Sequence, residues 1–250
     1  MKQAGHLFLK SLGKKRLRPG GKEATNWLLN KANIQTTDQV LEVACNMGTT
    51  LIQVAKTYNC QITGVDLSKQ AVIEANENIQ KSNLTNAQVI QGNAFALPFE
   101  DNTFDVIINE AMLTMLPYKN KKRALTEYYR VLKPGGRLIT HDMSTEVAEQ
   151  NTGLSQTVNV PVNALSITEW QNLFKEANLS IQATKHGKLT LLSPRGLIYD
   201  EGVLGALKII KNSRKKANKA QFKAMYQYFN SNKQDLNYIA TYSQKPLQTK

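Results

Sequence analysis

A turn of small residues follows the first apolar segment of the chain, and an acidic residue ends the second. The turn reads Glu42-Val43-Ala44-Cys45-Asn46-Met47-Gly48. Small residues, and residues that tolerate positive φ, let a backbone pass close to a ligand, and Ala44, Asn46 and Gly48 are of these kinds. Asp66 lies eighteen residues beyond Gly48, where a carboxylate can accept hydrogen bonds from both hydroxyls of a ribose. This pair of features indicates a nucleoside-containing ligand.

Polar side chains that could act as bases follow two later apolar segments. Glu110 comes directly after residues 104–109, and His141-Asp142 closes residues 137–142. His141 is the better proton acceptor near neutral pH, and strand alternation sends His141 and Asp142 to opposite sides of a sheet. We therefore take His141 and Glu110 as candidate catalytic bases. A purely structural role, as hydrogen-bonded groups at strand ends, stays open for both.

Alternating strands and helices must position these residues. The apolar patterns predict strands at 39–44, 61–65, 87–91, 104–109 and 137–142, and helices at 22–31, 49–58, 69–81, 121–132, 168–177, 201–210 and 217–230. Such alternation predicts an α/β fold, a Rossmann-like doubly wound sheet that is mostly parallel with right-handed crossovers. Residues 179–185 and 188–192, joined at His186-Gly187, predict an antiparallel hairpin at the edge and bring the sheet to seven strands.

The excess positive charge lies at the two ends of the chain. The 250 residues carry a net charge of +13, with seven Lys/Arg and no acid in residues 1–22, and ten Lys/Arg and one acid in residues 206–250. The residues between hold 15 bases and 18 acids. Basic ends are often solvated surfaces, but they could also lie near an anionic partner or substrate.

We expect three parts along the chain. Residues 1–37 would form an N-terminal helical or lid segment, residues 38–195 the sheet domain, and residues 196–250 a basic helical C-terminal extension. The sequence Arg18-Pro19-Gly20-Gly21 would be either a lid element over the ligand or a plain connecting turn.

Several classes of protein are excluded by composition. Two cysteines are too few for a disulfide framework, and no His/Cys cluster has the spacing of a zinc site, so we predict no metal. No apolar run is long enough to span a membrane. The N-terminus lacks the apolar core and cleavage site of a secretory signal, so we expect a cytoplasmic protein.

Four motifs together make the chain similar to the class I S-adenosylmethionine-dependent methyltransferases, and most of all to the branch that includes the ubiquinone/menaquinone biosynthesis enzymes. The resemblance covers about residues 38–142. Ala44 and Asn46 stand where the family has glycine, and Asn93 stands where it usually has Asp. The motifs are Glu42-Val43-Ala44-Cys45-Asn46-Met47-Gly48, Val65-Asp66-Leu67-Ser68, Gly92-Asn93-Ala94 with Leu97-Pro98-Phe99-Glu100-Asp101-Asn102-Thr103-Phe104-Asp105, and Arg130-Val131-Leu132-Lys133-Pro134-Gly135-Gly136.

The resemblance implies S-adenosylmethionine as cofactor and S-adenosylhomocysteine as product. Glu42 would act near the methionine amino group, Asp66 would hold the ribose hydroxyls, and Leu67 would pack against adenine. Asn93 and Ala94 would contact adenine. The implied cofactor-binding set is Glu42, Ala44, Asn46, Gly48, Asp66, Leu67, Asn93, Ala94 and Asn109.

Three functions compete at this point. The first is methyl transfer to a small-molecule acceptor, which the basic ends suggest could be anionic. The second is an RNA methyltransferase whose basic termini follow the phosphates, although Phe222, Tyr226 and Phe229 share helical spacing that a core face explains more simply. The third is a non-catalytic protein that binds S-adenosylmethionine. The acceptor, the methylated atom and the oligomeric state are not determined by the sequence.

Overall fold

A seven-stranded sheet carries the chain, which is described over residues 3–247 by a computed structural model. The strands are β1 (Gln39–Val43), β2 (Gln61–Asp66), β3 (Ala87–Gln91), β4 (Phe104–Glu110), β5 (Leu132–Thr145), β6 (Ser180–Lys188) and β7 (Leu236–Gln244). Their order is β3-β2-β1-β4-β5-β7-β6. The pairs among β1 to β5 are parallel, and β7 is antiparallel to both β5 and β6. The expected α/β class and seven-stranded, mostly parallel sheet are confirmed.

Helices cover both faces of the sheet because successive strand residues point to opposite sides. Val40, Val106 and Ile108 pack in one apolar cluster with the second to fourth helices, whereas Leu41 and Ile107 pack in another with the fifth and seventh. The helices are α1 (Gly5–Leu12), α2 (Gly21–Ala32), α3 (Thr49–Tyr58), α4 (Lys69–Lys81), α5 (Tyr118–Val131), α6 (Gln150–Val158), α7 (Ile167–Glu176), α8 (Pro194–Ser213) and α9 (Lys216–Ser231), with a short 3-10 helix at Leu113–Met115.

The strand order reverses at β1, which lies between β2 and β4. At such a switch point the loops after neighbouring strands diverge to opposite faces and leave a crevice at the carboxyl ends. The turn after β1, Asp66 at the end of β2 and Glu110 at the end of β4 therefore surround one crevice. The fold brings together the residues that the sequence singled out.

The antiparallel pair at the edge is confirmed, but β6 and β7 form it, and the prediction of a hairpin from residues 179–185 and 188–192 is wrong. Residues 180–188 form the single strand β6, and His186 and Gly187 lie within it. Gly187 serves packing, because a Cβ there would lie 3.0 Å from the Tyr238 ring on β7. In a sequence, a glycine that makes room for a neighbouring ring cannot be distinguished from a glycine in a turn, which is why the sequence predicts a turn at residues 186–187.

The C-terminal part of the chain is not purely helical, which corrects the expected extension over residues 196–250. After α8 and α9, the chain returns as β7 between β5 and β6. The β-branched and aromatic residues of β7, such as Tyr238, Ile239 and Tyr242, are the sequence signal for it. The ends of the expected N- and C-terminal segments, residues 1–2 and 248–250, lie outside the described residues.

If β7 belongs to the core, Ile239→Ala will lower the free energy of unfolding by about 2–5 kcal/mol, the usual cost of removing a buried Ile side chain. Ile239 is buried in the cluster beneath α5 and α7. The control is Ile73→Ala on α4, where the side chain is exposed and we expect a change within about 1 kcal/mol. Urea unfolding measures both. Equal, small effects would contradict the placement of β7 in the core.

Candidate functional site

The turn after β1 has the backbone that its residue types predict. Ala44, Asn46 and Gly48 all have positive φ, at 57°, 48° and 74°, and Gly48 precedes the first residue of α3. The Asp66 carboxylate accepts hydrogen bonds from the Asn46 N–H and from the Ser68 N–H, each at 2.9 Å. Asp66 therefore holds the turn in place, and its side chain is only partly buried, so a ligand in the crevice could reach it.

The residues expected around an adenine lie on this same side. Gln91, the last residue of β3, pairs with Asp66, so Asn93 and Ala94 follow within the same corner of the crevice. The Asn93 Oδ1 accepts the Phe95 N–H at 2.9 Å. Leu67 is 69% exposed beside Asp66, which leaves a large apolar side chain open to a flat ligand.

Two buried acceptors lie deeper, on β1 and β4. The Asn109 Nδ2 donates to the Val43 carbonyl at 2.9 Å, which aims the side chain across the pair of strands. The Asn109 Oδ1 and the Glu42 Oε2 are both buried and have no hydrogen-bond partner within residues 3–247. Burial raises the pKa of Glu42 to about 8, against the opposing effect of Arg18. The two side chains lie on opposite faces of the sheet, because Glu42 pairs with Ile108 and Asn109 pairs with Val43, so each oxygen requires a donor of its own.

A buried ion pair joins the N-terminal region to the end of β4. The Arg18 Nε lies 2.8 Å from the Glu110 Oε2, and Arg18 also donates to the hydroxyls of Thr25 and Thr50. Both threonines in turn donate to Glu110. Burial would raise the pKa of Glu110, but the Arg18 guanidinium and the hydrogen bond from His141 outweigh it and lower this pKa to about 2. Glu110 is thus an ionised acceptor.

His141 closes this cluster from β5. It is fully buried, its Nε2 accepts the Gly20 N–H at 2.8 Å, and its Nδ1 lies 3.2 Å from the Glu110 Oε1. Because Nε2 accepts, the ring proton belongs on Nδ1, where it is donated to Glu110. Both ring nitrogens are engaged beneath Gly20. This geometry favours a positioning role, and the role of His141 and Glu110 as bases stays a prediction.

We call residues 14–22 the capping segment, because they cover the carboxyl ends of β1, β4 and β5. A second buried ion pair holds this segment: the Lys14 Nζ lies 3.0 Å from the Asp200 Oδ2 on α8. The other Asp200 oxygen accepts the Lys22 N–H at 2.8 Å. Gly21 has φ 61°, and a Cβ there would lie 2.5 Å from the Asp200 carboxylate. This backbone position therefore requires glycine.

Asp142 faces the other side of the sheet from His141, as strand alternation predicts. Its Oδ1 accepts the backbone N–H and the hydroxyl of Thr114, both at 2.8 Å, and burial raises the pKa of its carboxyl. The Thr114 hydroxyl also accepts the Met143 N–H. Asp142 therefore secures the 3-10 helix that follows β4.

An apolar cavity opens beside this end of the sheet, with about 650 Å³ of empty space when its open mouth is included. Ala111, which follows β4, and Met143, which lies on β5, form the floor of the cavity. Residues of α1, α6 and α9 form its walls. No Lys, Arg, Asp or Glu is among the residues that line it. These are Gly5, His6, Leu9, Leu17, Pro19, Ala111, Thr114, Met115, Met143, Leu154, Val158, Val160, Val162, Leu189, Leu191, Met225 and Phe229.

Sequence reasoning missed Thr25, Thr50 and His6. The two threonines lie on helix faces that look apolar or neutral in a linear pattern, and nothing in their spacing points to Glu110. The His6 Nδ1 is buried in the cavity wall without a hydrogen-bond partner in the part of the chain that the structure describes. Burial, followed by the nearby Lys10, lowers the pKa of His6, which keeps the ring neutral near pH 7.

The raised pKa of Glu42 predicts how stability depends on pH. The folded state holds this proton up to about pH 8, whereas the unfolded state releases it near pH 4.5. The free energy of unfolding should therefore decrease as the pH rises from 4.5 to 8. In the wild type, this decrease should be on the order of 1 kcal/mol per pH unit between about pH 5 and pH 8. Glu42→Gln should abolish it, because glutamine has no proton to release. The exposed Glu77→Gln should leave the wild-type profile unchanged. Identical profiles for all three proteins in urea unfolding would contradict the assignment.

Comparison with known proteins agrees with this geometry. Residues 34–178 match a family model described as a methyltransferase domain. An uncharacterized protein of Haemophilus influenzae is 48% identical over 247 residues, which cover 97% of this chain and 98% of that protein. A demethylmenaquinone methyltransferase of Listeria welshimeri is 35% identical over 113 residues, covering 44% of this chain and 47% of the relative. The match to that enzyme thus spans about half its length.

The fold has solved counterparts. A geranyl diphosphate C-methyltransferase from Streptomyces coelicolor, solved with Mg²⁺, geranyl diphosphate and S-adenosylhomocysteine, superposes with a TM-score of 0.67 at 15% identity and covers 89% of this chain and 78% of that one. The family match extends over more than half of the chain, including every strand of the parallel core. The chain belongs to the methyltransferase-domain family, and its fold is that of the class I S-adenosylmethionine-dependent methyltransferases.

Proposed function

We propose that this enzyme transfers the methyl group of S-adenosylmethionine to a small apolar acceptor. The observation that carries this proposal is the apolar cavity at the ends of β4 and β5, next to the crevice with the cofactor-binding motifs. The sequence suggested an anionic acceptor, but the cavity wall offers no cation within the described residues. An apolar acceptor fits this wall better.

The residues of the crevice fit the proposed cofactor. The unpartnered oxygen of Glu42 suits an ammonium group, and the positive-φ turn with Asp66 suits a ribose beside the exposed Leu67. The N-terminus of α3 supplies partial positive charge where a carboxylate is favoured. When bound, S-adenosylmethionine supplies an electrophilic methyl group.

The protein's own part in transfer would be alignment and exclusion of water. Arg18, Glu110 and His141 hold the capping segment over the crevice, and the apolar wall keeps the acceptor dry. Within that wall, the His6 ring is neutral, and its Nδ1 is buried without a hydrogen-bond partner among residues 3–247.

The structure offers less for the RNA alternative. Stacking of bases requires exposed aromatic rings, but Phe222 and Phe229 pack against the apolar cluster of α1, α8 and α9, in which Met225 is fully buried. Tyr226 is the ring that remains partly open on this face. The aromatic residues of α9 therefore serve mainly as core.

The cofactor assignment predicts a proton exchange. Binding of an ammonium group beside Glu42 should ionise this carboxyl at pH 7, so S-adenosylhomocysteine binding should release a proton. Calorimetric titration in phosphate and in Tris should give different heats for the wild type. Glu42→Gln should bind roughly 10-fold or more weakly, the usual cost of a lost charged hydrogen bond, with equal heats in both buffers. Glu77→Gln is the control. Folded protein that binds nothing, or binds without proton exchange, would contradict the assignment.

The acceptor assignment predicts where a labelled methyl group goes. Enzyme, tritiated S-adenosylmethionine and either an organic-solvent extract, a water-soluble extract or total RNA from cells should transfer label mainly to the organic fraction. Val160→Trp should fill the cavity and reduce this transfer at least about tenfold, or ~1.4 kcal/mol, with unchanged S-adenosylhomocysteine affinity. Val147→Trp, outside the cavity, should not. Label confined to RNA or to polar molecules would refute an apolar acceptor.

A further inference from the structure

The outer face of α8 exposes more apolar surface than folding explains. Leu204 is 83% exposed, Val203 60% and Leu207 57%, and Ile210 extends the same stripe at helical spacing. The opposite side of this helix buries Ala206 and Ile209 against α1 and α9. Clustered exposed apolar residues mark a surface that contacts something else.

Tyr199 and Ile198 continue the exposed apolar residues on the N-terminal half of α8, at 58% and 49% exposure. The two halves of α8 meet at a kink, where Gly202 has φ 73° and ψ 168°. A Cβ at Gly202 would meet nothing within 4 Å, so the kink itself lies open. Apolar residues thus flank an open bend in the chain.

Cations lie beside this apolar stripe, and acids are absent from it. Lys208, Lys211, Arg214 and Lys215 are all exposed, and no ion pair joins any of them to an acid within residues 3–247. The two acids of α8 are turned inward: Asp200 pairs with Lys14, and the Glu201 side chain accepts the N–H groups of the capping segment. The positive charge of this face is therefore not compensated internally.

We propose that the outer face of α8 docks on an anionic phospholipid bilayer. A surface helix with an apolar stripe bordered by Lys and Arg inserts that stripe at the level of the headgroups, while its cations bind the lipid phosphates. A second copy of the chain is a poorer occupant because two such faces would bring their cations together. RNA would use the cations but leave the apolar stripe uncovered. We call residues 198–215 the docking face.

A second cleft, at the start of α8, borders the acceptor cavity. This cleft begins at Ser193 and Pro194 and shares Leu189, Leu191 and Phe229 with the cavity wall. An apolar acceptor dissolved in the bilayer would approach the cavity along this cleft, with Leu189, Leu191 and Phe229 moving aside to admit it. This last step rests on the proposed function, whereas docking itself does not.

Vesicle co-sedimentation of the full-length protein tests the docking face. We expect binding to vesicles of phosphatidylglycerol and phosphatidylcholine, weaker binding at high salt, and little binding to phosphatidylcholine alone. The double variant Leu204→Ser/Leu207→Ser should lower the partition coefficient at least about tenfold. Ile73→Ser, an exposed apolar position on α4, should bind like the wild type. Lys211→Gln/Lys215→Gln should weaken binding at low salt, whereas Lys81→Gln should not.

The outcomes separate the two proposals. Each variant is also titrated with S-adenosylhomocysteine, which should bind unchanged because the substituted side chains are exposed and, unlike Asp200 and Glu201, make no hydrogen bond or ion pair with the capping segment within residues 3–247. Equal vesicle binding by Leu204→Ser/Leu207→Ser and wild type would overturn the docking face, whatever the cofactor does. So would a dimer in sedimentation equilibrium that this variant abolishes, or an RNA affinity that exceeds the affinity for anionic vesicles.

Discussion

The buried ion pair between Arg18 and Glu110 is the constraint on which the functional end of this molecule depends. A carboxylate at the end of β4 can be buried only if it is paired and hydrogen-bonded. Arg18, Thr25, Thr50 and His141 supply those partners from the N-terminal region, α2, α3 and β5. Removing one partner of such a pair typically costs about 3–5 kcal/mol, so these elements are fixed relative to one another.

This constraint explains why the N-terminal region belongs to the site. The capping segment is attached to the sheet through Arg18 and Gly20, and to α8 through Lys14 and Asp200. The capping segment thereby links the crevice to the walls of the acceptor cavity, which α1, α6 and α9 form. In our account, the parallel core presents the cofactor, and segments far apart in the chain build the acceptor side around it.

The sequence contained much of the core and little of the acceptor side. The alternation of strands and helices predicted the parallel sheet, and Asn46 at a turn predicted a positive φ that the structure has. The burial of His141 was not predictable, because it depends on Gly20, more than a hundred residues earlier. Gly187 led to a wrong strand prediction because a turn would also require a glycine. This glycine is in fact required by the Tyr238 ring, which packs against it from a strand that is distant in the sequence.

The cavity could not be read from the chain because its wall comes from segments that no local pattern connects. Leu9, Leu154 and Met225 each look like an ordinary core residue of an amphipathic helix, and only the packing of α1, α6 and α9 leaves space between them. The prediction of an anionic acceptor from the net charge does not match the apolar cavity wall, for a related reason. Net charge counts the cations in the terminal segments but does not tell whether their side chains face the cavity or the solvent.

A crystal structure with S-adenosylhomocysteine bound tests the central claim most directly. Our account predicts the amino group of the ligand at Glu42, the ribose at Asp66, the capping segment closed above it through Arg18 and His141, and the sulfur facing the apolar cavity at Ala111. A ligand whose sulfur faces away from that cavity, or one that displaces the Arg18–Glu110 pair from the crevice, would contradict the account.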